Sequence, residues 1–481
     1  MRDLHNFIDG AVAPAASGLR HDVYAPATGE KCGTIARSQE ADIDAAVQSA
    51  ARAQPAWAAM RPIERARILM RISDYLRANA DEFGAIEQLE AGKPAARVAG
   101  EIIRGSADYF EMYAGLCNLP QGDRIDLGDG FHCYTRREPY GVIGIITPWN
   151  GPLGQLSRGM APALIVGNTV VAKPSEQTSG SALLLAQVAC EKCGLPPGVF
   201  NVVTGLGAEA GAALVGHPMI RKVAFTGSVR AGREIGRIAA DRIIPLTLEL
   251  GGKSPNIVFE DATFADAVAG SLRAIAANAG QVCSAGSRLL VQRTIYDRFV
   301  EALAVAAGAI RSGPEADADM GAISTRAQYE RVRGFFDIAR ADGARLVVGG
   351  ADVRSESWGN GWYVPLTIYA DVTNDMRIAR EEVFGPILAV IPFDTEEDAI
   401  AIANDTEYGL AAGVWTNDIS RAHRVAGKLQ VGTVGINEYS SADIELPFGG
   451  FKNSGYGREK GVAALQYYTH LKTVRVKLAA A

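Results

Sequence analysis

Apolar residues at helical spacing form the first long pattern in the chain. Between residues 41 and 80 they recur every three or four positions, which is typical of amphipathic helices. Further helices are predicted at 82–90 and 97–116, and Gly92-Lys93-Pro94 separates them as a stop signal. The first part of the chain is therefore predicted to be mainly helical.

The pattern changes after residue 130, where short apolar runs alternate with helical stretches. The predicted strands are 141–147, 168–173, 199–203, 222–226, 256–259, 287–292, 345–349, 363–369 and 387–393. The predicted helices among them are 181–193, 208–215, 232–240, 263–277 and 296–310. Strands that alternate with helices in this way form βαβ units around a mostly parallel sheet.

Two further segments alternate like edge strands but have no predicted partner. Residues 131–138 mix aromatic, β-branched and polar side chains, and residues 467–478 alternate near the end of the chain. Stable proteins rarely leave long strand edges uncovered. We therefore expect these two strands to pair with another subunit.

Length, composition and charge limit the class of protein. A chain of 481 residues is longer than one hydrophobic core usually supports, so two or three domains are expected. The net charge of −6 makes nucleic acid and anionic membrane surfaces unexpected partners. The chain has no apolar run of about 18 residues and residues 1–10 lack an apolar signal core. A cytoplasmic protein without a membrane span is expected.

Six scattered cysteines favour free thiols in a reducing compartment over a disulfide framework. They are Cys32, Cys117, Cys133, Cys190, Cys193 and Cys283. Cys190 and Cys193 form a CxxC pair, but no second pair follows to complete a metal site. No metal site is therefore expected.

Three side chains are candidates for covalent chemistry. Cys283 is surrounded by Gly, Ser and Ala, so a substrate can approach its sulfur, although a lone cysteine is more often a small buried hydrophobe. Glu249 precedes Leu250 and two glycines, which would let its carboxylate move and deprotonate a water. Asn150 follows Thr147-Pro148-Trp149 at the mouth of a buried strand, where its amide could hold an oxyanion.

Two strand ends carry residues suited to a dinucleotide. Lys173-Pro174-Ser175-Glu176 follows a strand, at the sheet edge where α/β proteins bind ligands. Glu176 would bond a ribose and repel a 2′-phosphate, which favours NAD over NADP. The glycines of Phe225-Thr226-Gly227-Ser228 and Gly232 would let a helix N-terminus approach a pyrophosphate. An ordinary solvated turn is the alternative at both places.

With residues 381–386 and 447–455, these motifs resemble the aldehyde dehydrogenase superfamily, of the NAD(P)-dependent, non-acylating kind, along almost the whole chain. The resemblance implies an α/β fold with a Rossmann-like NAD-binding domain, a second α/β catalytic domain and a small β bridging or oligomerisation domain. These domains are expected at 1–118 and 140–250, at 251–450, and at 119–139 and 463–481, respectively. A homodimer or homotetramer is also implied.

The resemblance also implies roles for individual residues. Cys283 would attack an aldehyde carbon, while Asn150 and the Cys283 N–H hold the oxyanion of the thiohemiacetal. After hydride transfer leaves a thioester, Glu249 would activate the water that releases the acid. The residues that match the family's cofactor contacts are Trp149, Lys173, Ser175, Glu176, Phe225, Gly227, Ser228, Gly232, Leu250, Glu382 and Phe384.

The chain departs from the family pattern where a substrate would enter. Gly151 stands where a phenylalanine is common, and Gly154 and Gln155 follow, so the tunnel is widened for a bulky or aromatic aldehyde. Arg158 stands where many relatives have tryptophan. It resembles a position that semialdehyde dehydrogenases use to bind a carboxylate. The alternative is an arginine that pairs with a carboxylate of the protein.

A second departure concerns proton transfer. Gly159 replaces a lysine that is thought to relay protons with a glutamate matched here by Glu459. Two other functions stay open. In a CoA-acylating semialdehyde dehydrogenase CoA would replace water, although a thiol nucleophile would not need Glu249. A binding or structural protein would have kept the fold without turnover.

Overall fold

A computed structural model describes residues 2–119, 121–440 and 443–479 of the chain. Its first large sheet has eight strands, of which the five central ones are parallel. In order across the sheet they are Gly455–Tyr456, Leu246–Glu249, Ile220–Thr226, Val142–Ile146, Thr169–Lys173, Phe200–Val202, Asn6–Ile8 and Ala11–Ala13. Val and Ile fill the central strands because helices cover both of their faces.

The second large sheet has seven strands, which are parallel except at the edge strand Arg345–Val348. In order they are Arg345–Val348, Thr367–Ala370, Ile387–Phe393, Arg288–Gln292, Pro255–Val258, Ala411–Trp415 and Thr433–Ile436. It has its own hydrophobic core, and two other clusters pack around the first sheet. Two separate cores agree with the predicted α/β fold, whereas the domain boundaries stay a prediction.

Helices surround both sheets. The α-helices are Glu40–Ala59, Pro62–Ala78, Ala80–Ala91, Ala95–Ile102, Asp108–Gly115, Pro152–Ile165, Gly180–Glu191, Ala212–Gly216, Val229–Arg242, Phe264–Ala276, Tyr296–Ala307, Arg326–Ala341, Arg377–Arg380, Glu396–Asn404 and Ile419–Lys428. One-turn π-helices lie at Ile103–Ala107 and Gly207–Gly211. Short 3₁₀ helices lie at Ala277–Gly280, Arg293–Ile295, Glu356–Trp358 and Val462–Tyr468.

The two segments expected to pair with another subunit pair instead with each other. Thr469–Lys477 runs antiparallel to Phe131–Pro139, and Arg124–Ile125 completes a three-stranded sheet. Nothing local in the sequence indicates this pairing, because the two strands lie far apart along the chain, and contact of this sheet with another subunit stays a prediction. A second three-stranded sheet joins Arg2–Leu4, Glu30–Ala36 and Arg20–Ala25. Tyr408–Gly409 pairs with Phe451–Lys452.

Three predicted elements differ from the observed ones. The helical pattern at 41–80 divides at Pro62, which begins a second helix because proline suits the first helical turn. The helix expected at 97–116 is interrupted by the π-turn Ile103–Ala107. The strand expected at 363–369 is confined to Thr367–Ala370.

The six cysteines are all free thiols, as predicted. Across the part of the chain that the structure describes, no helix is both long enough and apolar enough to cross a bilayer.

Candidate active site

Four adjacent parallel strands end at one edge of the eight-stranded sheet, and the predicted site residues follow them. Trp149 and Asn150 come after Val142–Ile146, and Lys173 ends Thr169–Lys173. Glu249 ends Leu246–Glu249. This sheet edge is where open α/β proteins bind ligands. The topology therefore collects motifs that lie far apart in sequence.

Cys283 lies in a loop that hydrogen bonds hold in place from several sides. The Gln281 side chain donates to the Ala322 carbonyl at 3.2 Å and accepts from the Ser324 N–H at 2.8 Å. The Tyr439 hydroxyl donates to the Ser284 carbonyl at 2.7 Å. The loop is thereby fixed on both sides of a half-buried thiol.

A tight backbone approach shapes the start of this loop. Gly280 has φ +71°, and a Cβ there would lie 2.2 Å from the Gly385 carbonyl oxygen. Asn278 and Ala279 also have positive φ, at 47° and 53°, which non-glycine residues adopt at an energetic cost. Asn278 donates its side-chain amide to the Asn150 carbonyl at 3.0 Å. The strained turn thus joins the cysteine loop to the segment that carries Asn150.

Cys283 and Asn150 line one cavity of about 930 Å³. The Asn150 amide donates to the Gln281 carbonyl at 2.8 Å, which sets its direction beside the thiol. Burial raises the pKa of Cys283 to about 11, while Arg158 and Lys460 act to lower it. A thiol with this pKa needs local positive charge and a base before it can act as a nucleophile.

Gly151, Gln155 and Arg158 line the same cavity. An added Cβ at Gly151 would meet only the flexible Gln155 side chain, at 3.3 Å. Arg158 is buried and forms an ion pair with Glu459, which is also buried. Its Nη2 donates to Thr226 Oγ1 at 3.2 Å. The arginine is therefore paired with a carboxylate of the protein, the alternative that sequence reasoning left open.

Glu249 is 1% exposed, and its two carboxylate oxygens have no hydrogen-bond partner among the described residues. Burial raises its pKa well above the usual range, and the nearby Glu459 carboxylate adds to that effect. A Cβ at Gly449 would lie 2.9 Å from Glu249 Oε1, so the side chain points towards Gly449. Within residues 2–119, 121–440 and 443–479 the cavity lining does not include Glu249.

Lys173 and Glu176 face each other at the end of their strand. Lys173 Nζ donates to Glu176 Oε2 at 3.2 Å, and burial lowers the pKa of Lys173. Lys173 is buried, whereas Glu176 is partly exposed. Ser175, which lies between these two residues in the sequence, is buried. A charged pair with one accessible carboxylate can hydrogen-bond vicinal hydroxyl groups.

The neighbouring strand leads into a turn with little bulk. A Cβ at Gly227 would lie 2.5 Å from the Phe225 ring, and one at Gly232 would lie 2.7 Å from Leu250. Ser228 caps helix Val229–Arg242 by accepting from the Ala231 N–H at 3.2 Å. The two glycines thus make room for the Phe225 ring and the Leu250 side chain, and the capped helix N-terminus suits an anion such as a pyrophosphate.

Glu382 and Phe384 come from the loop before strand Ile387–Phe393. Glu382 accepts from the Gly252 N–H at 3.0 Å, and burial raises its pKa to about 7. The Phe384 ring meets the Trp149 ring edge-on at 5.3 Å, and Phe384 has φ +57°. These contacts bring predicted cofactor residues from the second sheet next to those of the first.

Several residues that shape the site were not predicted. Gln281, Asn278 and Tyr439 fix the cysteine loop, and Tyr109 and Phe448 line the cavity. Gln281 and Asn278 lie within a few residues of Cys283, so that their proximity in sequence was a usable signal. Phe448 lies in the motif 447–455 but had no predicted role, and Tyr109 gave no signal because the fold alone brings it there.

The chain is similar to known proteins over almost its whole length. The profile described as "Aldehyde dehydrogenase family" matches residues 13–474. A betaine aldehyde dehydrogenase of Cereibacter sphaeroides is 47% identical over 473 residues, which are 98% of this chain and 96% of that protein.

Solved structures give the same result. An indole-3-acetaldehyde dehydrogenase of P. syringae in complex with NAD+ is 40% identical, with a TM-score of 0.96 over 98% of this chain and 96% of that one. An aldehyde dehydrogenase of Bacillus cereus in complex with NAD+ is 42% identical, with a TM-score of 0.96 over 99% and 97%. The chain therefore belongs to the aldehyde dehydrogenase family.

Proposed function

We propose that this enzyme uses NAD to oxidise a bulky, uncharged aldehyde, most favourably an aromatic one, to the carboxylic acid. The observation that carries the proposal is that Cys283 and Asn150 line one cavity of about 930 Å³. This cavity is large enough for an aromatic aldehyde. The net reaction converts aldehyde, NAD+ and water into carboxylate, NADH and two protons.

The residues at the sheet edge fit a dinucleotide. The partly exposed Glu176, held by Lys173, offers oxygens to the hydroxyls of a ribose and would repel a 2′-phosphate. The capped helix N-terminus after Ser228 fits a pyrophosphate. Glu382 and Phe384 would hold the nicotinamide end. When bound, NAD supplies the hydride acceptor.

The chain's own residues would carry the covalent steps. The Cys283 thiolate forms a C–S bond to the aldehyde carbon, and the Asn150 amide and the Cys283 N–H donate to the resulting oxyanion. Loss of hydride leaves a thioester on Cys283. Glu249, whose raised pKa makes its carboxylate a stronger base than usual, takes a proton from the water that attacks the thioester. The C–S bond then breaks and the acid leaves.

Glu249 would have to move for that last step. Its carboxylate points towards Gly449 and no hydrogen bond from the described residues holds it there. Gly251 and Gly252 follow it closely in the chain. A carboxylate without fixed partners can rotate towards Cys283 once the thioester has formed.

Part of the cavity lining is apolar and suits an aromatic substrate, while the rest carries charged side chains, among them Glu111, Asp443 and Glu445. Tyr109, Met112 and Phe448 supply apolar surface, and Gly151 and Gly154 add no bulk. The name of the P. syringae neighbour, an indole-3-acetaldehyde dehydrogenase, agrees with a large aromatic aldehyde. A semialdehyde with a distal carboxylate is the second candidate, because Arg158 lines the cavity.

Filling the cavity at Gly151 tests this proposal. Gly151→Phe should lower kcat/KM for indole-3-acetaldehyde and phenylacetaldehyde at least about tenfold, because the ring would occupy the space that the substrate needs. Acetaldehyde should be oxidised about as well as by the wild type. The rates with the aromatic aldehydes and with acetaldehyde are measured from NADH absorbance under steady-state conditions. The panel also includes betaine aldehyde and succinate semialdehyde as substrates, and NADP is tested in place of NAD.

Gly334→Phe is the matched control, because Gly334 is exposed in helix Arg326–Ala341 and an added Cβ meets nothing within 4 Å. It should leave the panel unchanged. A wild-type preference for succinate semialdehyde or betaine aldehyde over the aromatic aldehydes would reject the proposed substrate class. Absence of NADH formation with every aldehyde would reject the proposed function itself.

A further inference from the structure

Arg158 and Glu459 form a buried ion pair beside the cavity. Arg158 belongs to helix Pro152–Ile165, and Glu459 is fixed by two backbone hydrogen bonds with Phe448, at 2.7 and 2.8 Å. The Arg158 guanidinium carbon lies 5.6 Å from the centre of the Phe448 ring. Glu459, Thr226 and the Phe448 face thus occupy much of the surface of this guanidinium.

A side chain at the next position would be in tight contact with its neighbours. A Cβ at Gly159 would lie 3.2 Å from the Tyr468 hydroxyl and 3.4 Å from Ile145 Cδ1. The glycine leaves Tyr468 in place, and Arg158 supplies the cation that meets Glu459. The pairing is therefore a property of this chain's own residues at both positions.

Arg158 and Glu459 both contact residues that adjoin Glu249. Arg158 donates to Thr226, the cross-strand partner of Glu249. Glu459 pairs with Phe448, which precedes the Gly449 that Glu249 faces. The Glu459 carboxylate raises the pKa of Glu249 beyond the effect of burial, and the Arg158 guanidinium opposes that rise. The charged and titratable groups that act electrostatically on or with Glu249 are Arg158, Arg458, Glu459, Lys460, Cys283 and Tyr468. Glu459 also interacts electrostatically with Tyr109, Tyr113 and Lys222.

We propose that Arg158 is a positioning residue for the general base: its ion pair with Glu459 sets the charge next to Glu249 and thereby the pH range in which the acyl-enzyme is hydrolysed. The proposal rests on the function proposed above for Glu249. It assigns Arg158 to the proton chemistry of every substrate rather than to the binding of a substrate carboxylate.

The two partners should shift the reaction in opposite directions. Water activation requires ionised Glu249, so the hydrolysis rate rises with pH through the pKa of this group. Arg158→Met removes the cation and leaves the two carboxyl groups without it. The rising limb of the pH–rate profile should therefore shift to higher pH by about one unit. Glu459→Gln removes the anion and leaves the cation, which should shift the rising limb of the pH–rate profile to lower pH by a similar amount.

Two further variants separate charge from shape. The double variant Arg158→Met/Glu459→Gln carries neither charge, so its limb should return to within about 0.3 units of the wild type. Arg158→Lys keeps the cation and should also stay close to the wild-type limb. A role in packing alone would predict loss of thermal stability in these variants without opposite pH shifts. The melting temperature of each variant is measured alongside.

The readout uses an activated ester and so depends on neither the aldehyde nor hydride transfer. p-Nitrophenyl acetate would acylate Cys283 with release of nitrophenolate, and water would then cleave the thioester to acetate. The initial burst reports the Cys283 thiol, and the later steady rate reports the step that Glu249 assists. Each rate is recorded between pH 5 and 9 at a wavelength where both forms of nitrophenol absorb equally.

If the pH–rate profiles of Arg158→Met and Glu459→Gln rise at the same pH as that of the wild type, the proposal is overturned. If Arg158→Met does not fold, two results still decide the question: the rise of the hydrolysis rate shifts to lower pH in Glu459→Gln, and it does not shift in Arg158→Lys. A loss of kcat/KM confined to carboxylated aldehydes would make Arg158 a substrate anchor instead. Ester hydrolysis with the expected shifts but without NADH formation from any aldehyde would reject the oxidation and keep this inference.

Discussion

At the scale of single residues, Glu249 is the side chain whose surroundings demand a chemical role. A buried carboxylate without hydrogen-bond partners among the described residues is costly, and burial keeps its pKa high. If Glu249 is the base of deacylation, Glu249→Gln should lower kcat about 100-fold or more. The acyl-enzyme should then accumulate, with a rapid burst of about one NADH per subunit followed by a slow steady rate.

Stopped-flow measurement of NADH absorbance distinguishes this from a loss of substrate binding. Glu301→Gln is the matched control, because it removes an exposed carboxylate from helix Tyr296–Ala307 and should leave both phases unchanged. A variant that loses the burst together with the steady rate would place Glu249 in an earlier step, such as deprotonation of Cys283.

Candidate residues in short motifs could be predicted from the sequence, whereas the contacts between them could not. Cys283 and Asn150, predicted from separate motifs, line one cavity. The partner of Arg158 was left undecided because Glu459 lies in a distant segment, and only the fold determines which carboxylate reaches the guanidinium. The direction of the Glu249 side chain depends likewise on Gly449, which no local pattern indicates.

At the scale of elements, the N-terminus of helix Val229–Arg242 combines stability with the proposed cofactor contact. Ser228→Ala removes the cap on the Ala231 N–H and should lower the free energy of unfolding by about 1 kcal/mol. Ser228→Asp should keep the cap and the stability, yet raise KM for NAD about tenfold, because its carboxylate would face the pyrophosphate. Thermal unfolding and NAD titration measure the two effects.

Thr395 provides a matched cap away from the sheet edge that carries the cofactor residues. Its side chain caps helix Glu396–Asn404 by accepting from the Asp398 N–H at 3.1 Å. Thr395→Ala should cost similar stability and leave KM for NAD unchanged. If Ser228→Asp binds NAD as well as the wild type does, this helix N-terminus is not the pyrophosphate site.

Most elements with a strong local period were predicted, and those defined by long-range contacts were not. Most buried strands of both sheets were found from their apolar runs, to within a few residues, but Leu246–Glu249, Ala411–Trp415 and Thr433–Ile436 were missed. The strands Arg2–Leu4 and Ala11–Ala13 are too short to show a period. Helix Arg326–Ala341 does show one, through Val332, Phe335, Phe336 and Ala339, and could have been predicted. The π-turn Ile103–Ala107 continues a helical pattern and leaves no separate signal.

At the scale of the whole molecule, the sheet formed by Phe131–Pro139 and Thr469–Lys477 has an outer edge along which no strand of the described residues pairs. Thr469–Lys477 is the outer strand, and most of its nine residues are exposed. A long open edge with apolar side chains such as Val476 is a template for another chain. We expect a second copy of the protein to cover it, so that the enzyme is a homodimer or homotetramer.

A lysine at Val476 tests whether this sheet holds the subunits together. Val476 is 42% exposed in the single chain, and Val476→Lys would place a charge where subunits meet, so the mass from light scattering should fall to that of a smaller species. Val305→Lys adds the same charge to a valine that is 77% exposed on a helix, and should leave the mass unchanged. A monomeric wild type, or equal masses for all three proteins, would mean that this edge is not the interface.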